Sequence, residues 1–278
     1  MSDVPLNDAP LDAERAGVGP VDHGLAGSGG VASGARGAGL FGSGPVGLRQ
    51  TGVGVTDAQR TADAGSELSY REALEPEPAY AREMFGDRID LARQYTDDLG
   101  RRGEELGLIG PLELPRLWTR HIVKCGLIAP LLRPGRVGDI GSGAGLPGLV
   151  LAIARPDCHF VLIEPMERRV AWLESEARGL GLANVTVIRA RAEDARLDVL
   201  LDQVTARAVT ALTKLIPATV RLVKHGGEMV FMKGARVSDE MLAAKSIIRK
   251  HHLTNAEVLV LGEGLTTELT RVFRATVN

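Results

Sequence analysis

The sequence predicts an α/β fold, a seven-stranded and mostly parallel sheet preceded by a helical extension. Three observations predict it. From Arg136 onward, short apolar runs alternate with amphipathic stretches, the pattern of strands joined by helical crossovers, which pair in parallel. The last two apolar runs follow one another without a helix, which calls for one antiparallel strand. The stretch Arg136 to Gly148, RVGDIGSGAGLPG, reads as a buried strand, a glycine-rich turn and the start of a helix.

Taken in order, the chain begins with a segment that does not look folded. Between Gly17 and Gly54, 14 of 38 residues are glycine, with few large apolar side chains among them. Such a stretch buries too little surface to offset its chain entropy, so residues 1–66 are expected to form a flexible Gly/Ala-rich tail. A helical segment is expected over 67–132. Its first part, Ala79 to Leu106, carries Met84, Phe85, Ile89, Leu91, Tyr95, Leu99 and Leu106 at spacings that suit one helix or two, ended by Gly107, Gly110 and Pro111. Its second part, Leu114 to Leu132, sets Leu117, Trp118, His121, Ile122, Cys125 and Ile128 on one face. Arg116, Arg120 and Lys124 follow at i, i+4 and i+8 as a basic stripe beside that face; Trp118 and His121 read as packing residues.

The α/β domain is expected over 133–278. Its strands are read at Val137–Ile140, Cys158–Glu164, Asn184–Arg189, Gln203–Arg207 and Glu228–Lys233, with Glu257–Leu261 and Thr270–Val277 closing the chain. Helices are read from Leu149 to Ala154, from Met166 to about Leu180, from Ala211 to Lys224, and from Asp239 to His251 with Ser238 as N-cap. Pro147 suits a helix's first turn, where its missing N–H costs nothing.

Composition limits the function classes. The chain has 278 residues and is 44% hydrophobic, enough for a sizeable core, and only 4% aromatic. Its two cysteines, Cys125 and Cys158, are far apart and lack metal-ligand spacing, so a reduced, cytoplasmic protein without a metal centre is expected. No apolar run has membrane-spanning length. The formal charge of −2 hides an asymmetry: residues 1–115 carry 10 basic and 19 acidic side chains, and residues 116–278 carry 23 and 16. The second half, at +7, suggests a polyanionic partner.

The glycine turn belongs to the nucleotide-cofactor corner of α/β sheets, where alternating Gly141, Gly143 and Gly145 let the backbone turn and a ligand approach. GAGLPG also fits the dinucleotide pattern GxGxxG. Three features favour S-adenosylmethionine instead. Asp139 lies two residues before the first glycine, in reach of the cofactor's methionine end. Glu164 ends the next apolar run, where a carboxylate accepts from ribose hydroxyls. The chain after Glu164 is too short for a further catalytic domain. Arg191-Ala-Glu-Asp194 follows the third strand, where the backbone of Ala192 and Glu193 can read an adenine. Arg207 and Lys233 end neighbouring strands at the sheet edge where ligands bind. Arg207 needs an anionic partner there, for which Asp139 or an anion of cofactor or substrate can serve, and Lys233 can reach an RNA phosphate or a guanine O6. No Ser-His-Asp, Cys-His or metal cluster stands out.

These residues resemble the RsmG (GidB) family, the bacterial 16S rRNA guanine-N7 methyltransferases. The resemblance runs from about Ala79 to the C-terminus. It includes LWTRHI from Leu117 to Ile122, DIGSGAGLPG from Asp139 to Gly148, Arg191-Ala-Glu193, Ala206-Arg-Ala208 and Met232-Lys-Gly234. It implies a Rossmann-like methyltransferase fold with a helical N-terminal extension. It also implies S-adenosylmethionine bound at the positions of Gly141, Leu146, Ala192, Glu193 and Arg207, and a small-subunit rRNA substrate. Lys124 departs from the small or acidic polar residue usual there, and the glycine-rich tail is not a family feature. Arg120, Lys124 and Lys233 are the expected RNA contacts. The alternatives are a methyltransferase of the same fold acting on a small molecule or protein, and a non-catalytic RNA-binding protein on a cofactor fold.

Overall fold

The structure, a computed structural model, describes residues 67–266 and 268–278; the expected tail, 1–66, lies outside the described residues. The strands are β1 (Gly135–Ile140), β2 (Cys158–Ile163), β3 (Val185–Ile188), β4 (Leu201–Arg207), β5 (Val223–Lys233), β6 (Thr254–Leu261) and β7 (Thr270–Thr276). They form one sheet in the order β3-β2-β1-β4-β5-β7-β6. β1 to β5 pair in parallel, and β7 runs antiparallel between β5 and β6. The closing pair of strands without a helix therefore inserts its second member into the sheet and leaves its first at the edge.

The helices are α1 (67–73), α2 (Ala79–Phe85), α3 (Ile89–Arg102), α4 (Lys124–Gly126), α5 (Gly148–Ala154), α6 (Glu167–Gly179), α7 (Leu212–Thr219), α8 (Val237–Ala243) and α9 (Lys245–Lys250). Side chains alternate across a strand, and both faces of this sheet are buried. Val137, Phe160, Leu162, Val230 and Met232 face one core with residues of α2, α3, α5, α6 and the segment from Leu117 to Leu132. Val161, Ile163, Val204, Met229 and Phe231 face the other, under α7, α8 and α9. Strands covered on both faces read as continuous apolar runs, which is why their existence is plain in the sequence.

Several boundaries differ from the expected ones. The helix expected from Ala211 to Lys224 stops at Thr219, and a 3₁₀ turn over Val220–Leu222 leads into β5. Val223 pairs with Leu201 of β4, so sheet pairing overrides the helical reading, and β5 runs on through Gly226-Gly227. The helix expected from Asp239 to His251 is two helices, and Ser238 lies within the first; Arg236 precedes it, and no side chain caps it. The run from Ala79 divides at a 3₁₀ turn, Gly86–Arg88, and ends at Arg102. The expected amphipathic helix from Leu114 is a 3₁₀ turn, then a π-helix over Leu117–Val123, then α4. Its apolar face is nonetheless the expected one: Leu117, Trp118, His121, Ile122, Cys125 and Ile128 are all buried.

Strand order reverses between β1 and β4, and ligands of open α/β sheets bind at the carboxyl ends of the strands flanking such a point. The loop after Ile140 and the loop after Arg207 meet there.

Candidate active site

The glycine turn after β1 is held from behind by the two carboxylates singled out in the sequence. Asp139 is fully buried, and its Oδ2 accepts from the Gly148 N–H at 3.0 Å. Gly148 must be glycine for this approach, because a Cβ there would stand 2.6 Å from Asp139 Oδ2 and 2.4 Å from Leu162 Cδ2. Burial pushes the Asp139 carboxyl up to about 7, against the opposing bond from Gly148. Its other oxygen, Oδ1, has no hydrogen-bond partner among the described residues. Glu164, at the end of β2, accepts from the N–H of Gly143 at 2.9 Å through Oε2 and from that of Met166 at 3.0 Å through Oε1. The turn is also clamped from the helical side. Both the Tyr95 hydroxyl of α3 and the Trp172 Nε1 of α6 donate to the carbonyl of Ala144, at 2.9 and 2.8 Å.

In front of the turn is a cavity of about 330 Å³, lined by Gly141, Ser142, Gly143, Ala144 and Leu146 and closed by Leu108, Ile109, Glu113, His121, Arg169 and Arg207. Gly143 has φ +55°, and a Cβ there would meet nothing nearer than 3.7 Å, so the backbone offers an open face to this space. Of the residues read as cofactor contacts, Gly141, Gly143, Leu146 and Arg207 line the cavity. Asp139 and Glu164 stand behind it, in the hydrogen bonds just described. Gly145 turns the chain at φ +101°. Ala192 and Glu193 lie in the turn after β3 and do not line the cavity; the Ala192 carbonyl accepts from Arg221 Nη2 at 2.8 Å.

A second cavity, about 630 Å³, opens on the other side of Arg207. Among the described residues, its charged lining is Arg120, Lys124, Arg207, Lys233 and Arg236 against Glu240 and Glu268, an excess of three cations. Arg207 and Ala208 belong to both cavities. Ala208 holds φ +52°, a left-handed conformation that costs a non-glycine residue roughly 1–2 kcal/mol. Such strain collects at functional sites.

The cations of the basic stripe are already partnered. Lys124 Nζ contacts Glu268 Oε2 at 2.5 Å, and Arg120 reaches Glu268 Oε1 at 3.7 Å and Glu113 Oε2 at 3.4 Å. Arg116 pairs with Glu113 at 2.8 Å. The stripe thus exists but is partly neutralised by two carboxylates, one of them from distant sequence. Lys233 is nearly buried; its Nζ donates to the Thr210 carbonyl at 2.7 Å and pairs with Glu240 at 2.7 Å.

Arg207 is not paired with Asp139. Its Nη2 donates to His121 Nδ1 at 2.7 Å and lies 3.5 Å from the Arg120 carbonyl, while Nη1 donates to Cys125 Sγ at 3.3 Å. His121 Nε2 in turn lies 2.6 Å from Glu113 Oε2. A guanidinium only donates, so Nδ1 must offer its lone pair and Nε2 must carry the hydrogen donated to Glu113. Burial, with the neighbouring Arg207 charge, lowers His121 to about 4 and keeps it neutral at ordinary pH. Burial raises the Glu113 carboxyl, but the bonds from His121 and Arg116 outweigh this and leave it below the usual range. The parts played by His121, Glu113 and Glu268 are not foreseen from the sequence, because they depend on partners up to 144 residues away; the only signal is the LWTRHI run.

The family model described as "rRNA small subunit methyltransferase G" matches residues 88–270. The chain belongs to this family. Curated relatives agree along nearly their whole length. A "Ribosomal RNA small subunit methyltransferase G" of Clavibacter michiganensis subsp. michiganensis is 66% identical over 204 residues, 73% of this chain and 97% of that protein. One of Leifsonia xyli subsp. xyli is 61% identical over 207 residues, 74% and 99% of the two chains. One of Corynebacterium glutamicum is 48% identical over 197 residues, 69% and 88%. The family resemblance read from the glycine turn and its companion motifs is thereby borne out, and both alternatives give way to it. Among the described residues, no helix is long and apolar enough to cross a membrane.

Proposed function

We propose that the protein methylates N7 of a guanine in 16S rRNA of the small ribosomal subunit, with S-adenosylmethionine in the cavity on the glycine turn and the RNA in the basic cavity beside it. The observation that carries this reading is the shared wall: the two cavities meet at Arg207 and Ala208, so a group held in one borders a group held in the other.

The residues present fit the cofactor. Gly143 leaves open the space a side chain would fill, and Asp139 Oδ1 is a buried polar atom without a partner behind the turn. Gly141, Gly143 and Leu146 would line the cofactor's bed, Gly145 would shape it, and Asp139, buried behind the turn, would act on its cationic methionine end through its charge. Glu164 retains acceptor capacity beyond its two backbone bonds, enough for ribose hydroxyls. Ala192 and Glu193, one turn beyond β3, would edge the adenine. S-adenosylmethionine supplies an already activated methyl group.

What remains for the chain is orientation and exclusion of water, and orientation alone is worth roughly 7–11 kcal/mol in favourable cases. Guanine N7 carries a free lone pair, so no general base is needed, in keeping with a site whose imidazole is committed to Arg207 and Glu113. Arg207 would steer the reacting groups at the boundary. Arg120 and Lys124 would exchange Glu268 for RNA phosphates, and Lys233 would fix the floor of the RNA cavity. N7 lies in the deep major groove of paired RNA, so an unpaired or loop guanine is the fitting target.

The test is to incubate the protein with labelled S-adenosylmethionine and undermethylated small subunits, then digest the RNA and identify the labelled nucleoside by mass spectrometry. N7-methylguanosine at one site in 16S rRNA is expected. Label on protein alone, or on another base atom, overturns the reading.

A further inference from the structure

Arg207 stands at the boundary of the two cavities, and its long side chain takes its orientation from outside its own strand. β4 delivers its Cα, but the guanidinium is bonded to the helical segment that precedes the sheet: His121 Nδ1 at 2.7 Å, Cys125 Sγ at 3.3 Å and the Arg120 carbonyl at 3.5 Å. Of these, only the imidazole makes a short, well-matched bond. That bond requires a lone pair on Nδ1, which exists in one tautomer of the neutral ring. Glu113 selects this tautomer by accepting from Nε2 at 2.6 Å. Glu113 is itself held by Arg116 at 2.8 Å and Arg120 at 3.4 Å.

We propose that Glu113 and His121 are positioning residues for methyl transfer, a relay in which Glu113 fixes the imidazole tautomer and His121 aims the Arg207 guanidinium across the gap between the cofactor and RNA cavities. The proposal rests on the reading of Arg207 given above. The relay explains why a histidine sits buried on an otherwise apolar helix face. A packing residue there would not need two bonds running in opposite senses. It also explains the π-helical winding of Leu117–Val123, since π turns recur at functional sites and this one presents His121 toward β4 while keeping Trp118 and Ile122 in the core. Arg207 receives its orientation from the imidazole, Glu113 sets the tautomer, and Arg116 and Arg120 hold Glu113 in place; Arg169 lines the same cavity as His121 and has no bond to the imidazole. Lys124 lies on the same run but is bound to Glu268.

A double-mutant cycle on the full-length protein tests this, with methyl transfer to undermethylated small subunits as readout and thermal melting and S-adenosylmethionine binding as controls. His121→Ala is expected to lower kcat roughly ten- to a hundredfold, the scale of a misaligned reacting group. In the Arg207→Ala background the same change is expected to have no further effect. His121→Asn, whose carbonyl oxygen can stand in for the Nδ1 lone pair, is expected to recover most of the loss, which a simple cavity in the core would not allow. Nitrogen NMR on the unmutated protein is expected to find His121 with its hydrogen on Nε2, and a mixture of tautomers in Glu113→Ala. Additive losses from His121→Ala and Arg207→Ala, no recovery with Asn, or a hydrogen on Nδ1 overturns the relay. If Arg207→Ala itself keeps full turnover, the reading of Arg207 fails and the relay with it. If Arg207→Ala is inactive while His121→Ala is fully active and folded, only the relay fails.

Discussion

Asp139→Asn should make the unliganded protein more stable while spoiling its site. The wild-type carboxyl is fully buried, has one bond from Gly148 and one oxygen without a partner, and titrates at about 7 against an ordinary 3.8. At about 1.36 kcal/mol per pKa unit, ionising it in the folded state is disfavoured by roughly 4 kcal/mol relative to the unfolded chain. Between 3.8 and about 7 the folded state holds a proton that the unfolded state has released, so stability is greatest at the acid end and falls as pH rises toward 7. Asparagine keeps an oxygen for Gly148 and cannot ionise. Its amide nitrogen lacks an evident acceptor, which takes back roughly 1–3 kcal/mol. The net expectation is a gain of about 1–3 kcal/mol at pH 8.5 and a gain near zero or slightly negative at pH 5. Urea unfolding at the two pH values measures this. Calorimetry should find that wild-type affinity for the cationic cofactor rises with pH across 6 to 8 and that the variant binds more weakly without this dependence. A variant less stable at pH 8.5, or a difference that does not change with pH, refutes the reasoning.

Four other outcomes follow from the geometry. Tyr95→Phe removes one of two donors to the Ala144 carbonyl; a loss of about 0.5–1.5 kcal/mol in denaturant unfolding, with weaker cofactor binding, is expected. Gly148→Ala forces a Cβ to 2.4 Å from Leu162 and 2.6 Å from Asp139, an overpacking expected to cost about 1–3 kcal/mol by thermal melting and to weaken cofactor binding. Glu268→Gln removes the charge opposite Lys124 and one of the two carboxylates near Arg120, which keeps Glu113, and should tighten RNA binding, whereas Lys124→Ala should weaken it and flatten the log–log salt dependence by about 0.7–0.9 for each phosphate no longer neutralised; filter binding across a salt series distinguishes them.

The parts of this molecule legible in its sequence are those set by local pattern. Strands buried on both faces declare themselves as apolar runs, and the glycine turn declares itself because only glycine permits Gly148 to approach Asp139. The helix expected to reach Lys224 stops short because helical periodicity and sheet pairing compete over Val220–Val223, and the pairing of Val223 with Leu201 decides it. The basic stripe is legible as charge, but its neutralisation is not: Glu268 comes from a loop beyond β6, 144 residues from Lys124. His121 reads as a core residue and is one by burial, yet both its nitrogens are bonded. No periodicity records that, since one partner is an arginine on a strand 86 residues away.

A crystal structure of the protein with S-adenosylmethionine tests the assignment of the two cavities. The cofactor is expected in the cavity bounded by Gly141, Gly143 and Leu146, its methyl group directed at the opening beside Arg207 and Ala208 toward the basic cavity. Cofactor seated elsewhere, or with its methyl turned away from that opening, would contradict it.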